Sequence, residues 1–364
     1  MQICIGGYYG YGSLGDEAVL SCLIKNIRLL YYDSSITVLT ASPQRTKLLH
    51  GVKCVYRYNI PAVAAALSRS DIFILGGGSL LQDATSRRSL FYYMELIHIS
   101  HMIGTPVYLL ANGIGPITDK KLALSALKKC KKISLRDKDS YNFLLNEAKC
   151  YDIIDLSCDP FFTVKPADDN AVYSYMTEQG IYEMNYFTVN VRKCCGSKQI
   201  NSDALLYSLL PHISSGLKPI FVSMQDSCDL KLCESLAKTV DGYCVSPKNA
   251  EILAGIQKHA RFSIGMRLHF LISSVITGTP TIALSYDKKV ESVLDYTADL
   301  STFDAFSFSP EELQSAIEYS MYFPPHPDLD TMQKLCLRDI TVIEEIVKFP
   351  KESAKENVTR HAKA

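Results

Sequence analysis

Arg261-Phe262-Ser263-Ile264-Gly265-Met266-Arg267-Leu268-His269 carries two periodicities back to back. Its first four residues make a short apolar run of the kind that forms a buried strand, and Gly265 ends it. Apolar residues then switch to helical spacing, with Leu268, Leu271, Ile272, Val275 and Ile276 on one face. A strand that ends on glycine and turns into a helix is the repeating unit of a wound α/β sheet. In that geometry Arg267 and His269 fall in the first turn of the helix. Unpaired N–H groups and the positive end of the helix dipole favour an anion there. Arginine adds a planar fork of donors, and histidine a group that exchanges a proton near neutral pH. The pattern points to catalysis on a small anionic substrate. Its structural alternative is an arginine capping a neighbouring helix and a histidine held by a backbone carbonyl.

The same unit recurs along the chain. Ile3–Ile5, Ile36–Leu39, Ile72–Leu75, Val107–Leu110, Ile133–Leu135 and Ile153–Leu156 read as buried parallel strands. Helical patterns over 16–30, 61–67, 90–103, 120–129 and 138–147 separate them, the last with Asp137 as its N-cap. The turn-forming stretch Lys165-Pro166-Ala167-Asp168-Asp169-Asn170 reads as a linker. Beyond it, strands at 187–191, 219–223, 260–264 and 281–284 alternate with helices at 203–215, 230–239, 251–258 and 268–276. The expected architecture is α/β, with two Rossmann-like doubly wound domains, 1–166 and 167–328, facing a cleft. A C-terminal helix from Asp330 to Val347 within 329–364 is expected to cross back toward the first domain, followed by a polar tail.

Composition narrows the function classes. The 364 residues are 47% hydrophobic and 21% charged, a globular balance of a length that suits two domains. Lys plus Arg and Asp plus Glu both number 38, so no global field draws the protein to nucleic acid or to an anionic membrane. Any anion site has to be local. Met1–Gly7 reads as a first strand and not as a signal peptide, and the apolar segment 270–284 is broken by Ser273, Ser274, Gly278 and Pro280. Twelve cysteines with no CxxC pair and no zinc-ligand spacing read as small buried hydrophobes in a reducing cytoplasm, and no metal site is expected.

Ligands of such sheets bind outside the carboxyl ends of the strands. Gly6-Gly7-Tyr8-Tyr9-Gly10-Tyr11-Gly12-Ser13-Leu14-Gly15-Asp16-Glu17 follows the first strand, too long and too aromatic for a dinucleotide fingerprint. Its tyrosines, Tyr9 among them, suit stacking on a sugar. Asp16 and Glu17 open the next helix, either as favourable first-turn acids or as substrate contacts. Gly76-Gly77-Gly78-Ser79 with Asp83 reads as a binding loop, in which Gly77 and Gly78 allow close backbone approach and Ser79 and Asp83 can bond hydroxyls. Asn112 and Arg136 close two further strands, with turn-forming and ion-pairing roles as alternatives. In the second half Arg192 follows a strand after Asn190-Val191, and Lys288 and Lys289 follow the last one; one of these two lysines is expected to join Arg192 and Arg267 around a phosphate and a carboxylate.

Gly7-Tyr8-Tyr9-Gly10, Gly15-Asp16-Glu17-Ala18, Gly76–Asp83, Gly113-Ile114-Gly115-Pro116, Arg136-Asp137, Asp159-Pro160 and Arg267-Leu268-His269 occur in this order. The ordered set resembles the polysaccharide pyruvyl transferases, most of all the bacterial CsaB type, over roughly residues 1 to 300. The resemblance implies a fold like that of GT-B glycosyltransferases, with phosphoenolpyruvate on the C-terminal domain and the acceptor on the N-terminal one. It implies formation of a pyruvate ketal on a cell-wall polysaccharide sugar, with release of phosphate. The acceptor would be a polyprenyl diphosphate-linked unit such as N-acetylmannosamine at the inner membrane face, with at most peripheral membrane contact. Arg267 and His269 match the family motif directly; Arg136 and Lys288 match by local context, and Arg192 is a further candidate. Where the family often has Asn-x-Gly-Asp-Glu, this chain has Ser13-Leu14-Gly15-Asp16-Glu17, which bears on acceptor choice. His269 is the expected acid, Arg267, Arg192 and Lys288 the expected anion donors, and Asp16, Glu17 or Asp83 the base. No cofactor beyond phosphoenolpyruvate as donor substrate is implied. The rival readings are a GT-B glycosyltransferase with a nucleotide-sugar donor and a non-catalytic carbohydrate-binding protein.

Overall fold

The computed structural model describes residues 1–83, 86–118, 120–148, 151–193, 199–287, 290–291 and 300–348. The chain divides into two compact units. The first comprises Met1–Tyr11, Val19–Pro160 and the chain from Gln333 onward; the second comprises Gly12–Ala18 and Phe161–Met332.

In the first unit β1 (Gln2–Gly6), β2 (Ser35–Thr40), β3 (Lys53–Tyr56), β4 (Ile72–Leu81), β5 (Val107–Ile114), β6 (Lys132–Leu135) and β7 (Ile154–Leu156) form one sheet. Its order is β3-β2-β1-β4-β5-β6-β7, with every neighbouring pair parallel. The connections carry α1 (Leu14–Leu30), α2 (Pro43–His50), α3 (Ile60–Ser68), α4 (Arg87–Ile103), α5 (Lys120–Leu127) and α6 (Lys138–Ala148). β4 and β5 are buried almost throughout, which is why they read as unbroken apolar runs. Phe73, Leu75, Leu109 and Leu135 from the strands meet Tyr93 and Ile97 of α4 in one core, each burial contributing about 1.5–3 kcal/mol.

Both central strands outrun their apolar stretches. β4 continues through Gly76, Gly77 and Gly78 to Leu81, where the sequence suggests a loop. The reason is the packing of α1: a Cβ on Gly77 would stand 2.1 Å from Val19 Cγ1, and Gly77 has φ +65°. The glycines are therefore strand residues that let a helix approach. Along β5 the register shifts between Leu109 and Asn112, with Ala111 at φ 50°.

In the second unit β8 (Tyr186–Asn190), β9 (Lys218–Val222), β10 (Tyr243–Val245), β11 (Ser263–Gly265), β12 (Thr281–Ser285) and β13 (Ser301–Asp304) pair in the order β10-β9-β8-β11-β12-β13, again all parallel. Around it run α7 (Asp169–Glu178), α8 (Ser202–Ser214), α9 (Asp226–Thr239), α10 (Ala250–Lys258), α11 (Leu268–Ile276) and α12 (Pro310–Tyr322). Both sheets thus carry the Rossmann order, in which the strand sequence reverses beside the first strand. Leu14, from the first turn of α1, is buried in the second unit's core with Val172, Met224 and Phe270, and its N–H donates to Met224 O at 2.8 Å.

Lys165–Asn170 is not a free linker. Asp168 caps α7, accepting from Ala171 N at 2.9 Å, and Ala167 N donates to Glu251 O at 2.8 Å. β3, β10 and β13 were not legible because all three are sheet edges and half exposed, so they lack an apolar run. The last helix, α13 (Leu329–Lys348), groups with the first unit from Gln333 onward. There Ser134 Oγ donates to Asp339 at 2.9 Å, Arg338 donates to Leu156 O at 2.8 Å, and the Cys336 and Cys158 thiols lie 3.2 Å apart. Among the described residues no helix is long and apolar enough to cross a membrane.

Candidate functional site

In the second unit the strand order reverses between β8 and β11, so ligands are expected outside the carboxyl ends of these two strands. Asn190 ends β8 and Gly265 ends β11; Arg192 and Arg267 each follow two residues later. Asn190 ties the two ends together. Its Oδ1 accepts from Arg267 N at 3.0 Å, its carbonyl from Met266 N at 3.1 Å, and its Nδ2 donates to Val222 O at 2.9 Å. Arg192 N approaches Met266 Sδ at 3.5 Å.

Arg267 is the N-cap residue of α11, with extended backbone and no capping bond from its own side chain. The guanidinium instead reaches Asp229, with Nε 2.6 Å from Oδ2 and Nη2 2.7 Å from Oδ1, while Nη2 also donates to Gln225 at 3.2 Å. Asp229 is fully buried, and its Oδ2 also accepts from Met224 N and Gln225 N at 3.1 Å. Burial works against the charge on Arg267, and the Asp229 contact more than offsets it, so the guanidinium pKa is raised. One face of the fork is committed to Asp229, which leaves Nη1 as the nitrogen that neither Asp229 nor Gln225 engages. Sequence reading missed both partners because Gln225 and Asp229 flank a helix start, where polar and acidic residues are ordinary.

His269 is the second residue of α11 and half buried. Its ring stacks on Phe161, with centroids 5.3 Å apart and planes at 21°. Gly15 lies against the ring's other neighbourhood: a Cβ there would stand 2.0 Å from His269 Nδ1. The motif Gly15-Asp16-Glu17 and the motif Arg267-Leu268-His269, far apart in sequence, thus meet inside one unit. Arg192 donates from Nη1 to Tyr286 Oη at 2.7 Å, its Cζ 4.7 Å from that ring's centre. Two arginines, the N-terminus of a nine-residue helix and an imidazole thus follow the carboxyl ends of two neighbouring central strands, residue types suited to holding an anion and passing it a proton.

The remaining described candidates lie in the first unit, and most have internal partners. Arg136, at the end of β6, is buried and pairs with Asp159 at 2.6 Å while donating to Ser79 Oγ at 2.9 Å. Asn112 Nδ2 donates to Leu75 O and Leu110 O, and among the described residues its buried Oδ1 accepts nothing. Asp83 accepts from Thr118 N at 2.7 Å, which is the leading cause of its lowered pKa. Gly77 and Gly78 both hold left-handed φ within β4. Tyr9, expected to stack on a sugar, is 1% exposed, and its hydroxyl donates to Gly76 O. It is a core residue because the first strand carries it under the sheet end, and the accessible tyrosines of that loop are Tyr8 and Tyr11. Lys288, like Lys289, lies outside the described residues.

The chain is similar in structure to UDP-GlcNAc 2-epimerases and glycosyltransferases of the GT-B fold. The UDP-GlcNAc 2-epimerase of Methanocaldococcus jannaschii aligns with TM-score 0.66 at 10% identity, over 95% of this chain and 100% of that one. The same enzyme of Neisseria meningitidis, bound to UDP-GlcNAc, aligns with TM-score 0.60 at 10% identity over 96% and 100%. A glycosyltransferase of Rickettsia africae aligns with TM-score 0.57 at 12% identity over 97% and 99%. At such identities the likeness speaks for the fold alone. No curated protein matches the chain in sequence. The polysaccharide pyruvyl transferase family model matches residues 14–288, a span that begins at Leu14, includes the Arg267-Leu268-His269 cap and ends at Lys288, and the chain belongs to that family.

Proposed function

We propose that this pyruvyl transferase, of the CsaB type, moves the three-carbon skeleton of phosphoenolpyruvate onto two hydroxyls of one saccharide, giving a pyruvate ketal and inorganic phosphate. The observation that carries the reading is the placement of Arg192 and Arg267 after the two strand ends beside the reversal of the second sheet, with His269 in the first turn of α11. A compact anion with a phosphate and a carboxylate needs cations from more than one strand end, and β8 and β11 each lead to one.

The reaction balances with the groups present. His269 gives a proton to C3 of the enol, leaving an oxocarbenium-like centre at C2. A sugar hydroxyl adds to C2 and releases its proton to a base, with Asp16 and Glu17, which follow the Gly15 packed on His269, as candidates. The C2–O bond to phosphate then breaks, with Arg267, Arg192 and Lys288 stabilising the charge on the leaving oxygen. The second hydroxyl closes the ketal, its proton departing with phosphate. The acceptor in this reading is a cell-wall saccharide carried on a polyprenyl diphosphate, and the reaction takes place on the cytoplasmic side.

Thermal shift of the purified protein with phosphoenolpyruvate, inorganic phosphate, UDP and ADP in parallel tests the donor. Stabilisation by phosphoenolpyruvate above the other three, lost in Arg267→Ala, is the expected result. Stabilisation by UDP or ADP instead would overturn it in favour of a nucleotide-sugar donor.

A further inference from the structure

Around Arg57 the first unit gathers tyrosines from three parts of the chain. Tyr8 and Tyr11 come from the loop after β1, Tyr56 and Tyr58 from the end of β3, and Tyr92 and Tyr93 from α4. The guanidinium carbon of Arg57 lies 4.2 Å from the Tyr92 ring centre and 5.4 Å from each of Tyr11, Tyr58 and Tyr93. Arg57 is 3% exposed and donates from Nη1 to Gly7 O at 3.0 Å, so it is fixed beneath the rings.

The upper layer is ordered and open. Tyr8 stacks on Tyr11 with centroids 4.4 Å apart and planes at 15°, and the Tyr11 and Tyr58 hydroxyls lie 2.9 Å apart. Tyr58 meets Tyr56 and Tyr92 edge to face at 5.7 and 5.6 Å. Tyr8, Tyr56 and Tyr58 are 37%, 48% and 54% exposed. Burial, with the Tyr58 hydrogen bond next, holds the Tyr11 hydroxyl above the usual phenol range, so it remains a protonated donor.

Physical chemistry sets what such a surface takes. Rings held by cation–π and edge contacts lose little freedom on binding, and each offers an apolar face bordered by a hydroxyl. A pyranose has the matching character, one C–H face and a rim of hydroxyls. The cation acting on Tyr11 and Tyr92 is buried Arg57, so among the described residues of the cluster no exposed cation is offered to a phosphate, which favours a neutral ligand. The site also lies at the carboxyl ends of β1 and β3, on the side where the first sheet reverses between β1 and β4.

We infer that the Tyr8–Tyr11–Tyr58 cluster over Arg57 is a saccharide-binding platform that takes neutral pyranose units of the acceptor by stacking. Its assignment to the acceptor rests on the transfer reading above. The test reads the two separately. Saturation-transfer difference NMR on the full chain would use cellotriose, chitotriose and methyl N-acetyl-β-mannosaminide as probes, with uridine in parallel. Ring C–H protons of at least one saccharide are expected to saturate, and the signal to fall about two- to tenfold in Tyr8→Ala and in Tyr58→Ala. Stabilisation by phosphoenolpyruvate in both variants should equal that of the unsubstituted protein, which also reports an intact fold. Saccharide signals that fall as expected while phosphoenolpyruvate fails to stabilise any form would uphold the platform and remove the donor reading. No transfer to any of the three saccharides, preferential transfer to uridine, or undiminished signals in both variants would overturn the platform.

Discussion

The Asp229 carboxylate, fully buried, holds the Arg267 guanidinium at two nitrogens, 2.6 Å from Nε and 2.7 Å from Nη2. Arg267 is therefore both a member of a buried ion pair and the N-cap residue of α11. A lysine has one ammonium and cannot span both carboxylate oxygens. Breaking such a buried pair costs about 3–5 kcal/mol, because the remaining charge is left without its partner. Arg267→Lys and Asp229→Asn are both expected to lower the urea midpoint and to weaken stabilisation by phosphoenolpyruvate. Undiminished stabilisation by phosphoenolpyruvate in Arg267→Lys would confine Arg267 to the structural role.

His269→Gln keeps a polar side chain of similar reach on α11 but cannot deliver a proton. Turnover is expected to fall on the order of a hundred- to ten-thousandfold with the unfolding midpoint nearly unchanged. Ketal formation near the starting rate would remove His269 from the chemistry.

Gly15→Ala tests how the histidine is positioned. A Cβ at 2.0 Å from Nδ1 and 2.6 Å from Cγ cannot be absorbed by a flexible chain end, so the ring itself has to move. Displacement of a reacting group by about 1 Å costs roughly a hundredfold in rate. The expected outcome is a fall in kcat larger than the change in stability, read by steady-state kinetics beside thermal unfolding; an unchanged kcat would show that the ring's place is immaterial.

Gly77→Ala concerns the fold of the first unit. The left-handed backbone costs an L-residue about 1–2 kcal/mol, and the clash with Val19 adds about 1–3 kcal/mol of overpacking. Urea unfolding should show a loss of at least about 2 kcal/mol. A smaller loss would mean that α1 can lift from β4 at little cost.

Asp339 gives stability a pH dependence. Burial raises its pKa to about 6 from the ordinary aspartate value of 3.8. The folded chain therefore binds a proton between these values that the unfolded chain has released. Its contribution is full below about pH 4 and is lost as pH rises through 6. The difference in urea midpoint between the unsubstituted protein and Asp339→Asn should grow in favour of the variant from pH 4 to pH 7. A difference that is constant over this range would place the Asp339 titration elsewhere.

Much of the architecture was legible because buried parallel strands and amphipathic helices impress different periods on the chain. Ile3–Ile5, Val107–Leu110 and Thr281–Leu284 each sit inside a strand of the structure, and Asp137 caps α6, accepting from Ser140 N at 2.7 Å. Edge strands such as β13, buried on neither side, left no apolar signature. Glycine runs misled in one respect, since they mark close backbone approach without saying to what. At Gly76–Gly78 the approaching partner is α1, through Val19 and Leu23.

The order of strands and helices, the glycine-terminated strand before α11 and the place of Arg267 and His269 at its start were all determined by local pattern, which depends on residues a few positions apart. Tertiary structure alone decided that Asp229 takes the Arg267 fork, that Gly15 and Phe161 confine His269, that the Tyr9 hydroxyl is buried against Gly76, and that Tyr11, Tyr92 and Tyr93 close on Arg57. Each of these is a contact between residues tens to hundreds of positions apart. Such pairings are selected by packing and charge burial in three dimensions, and they leave no period in the sequence to read.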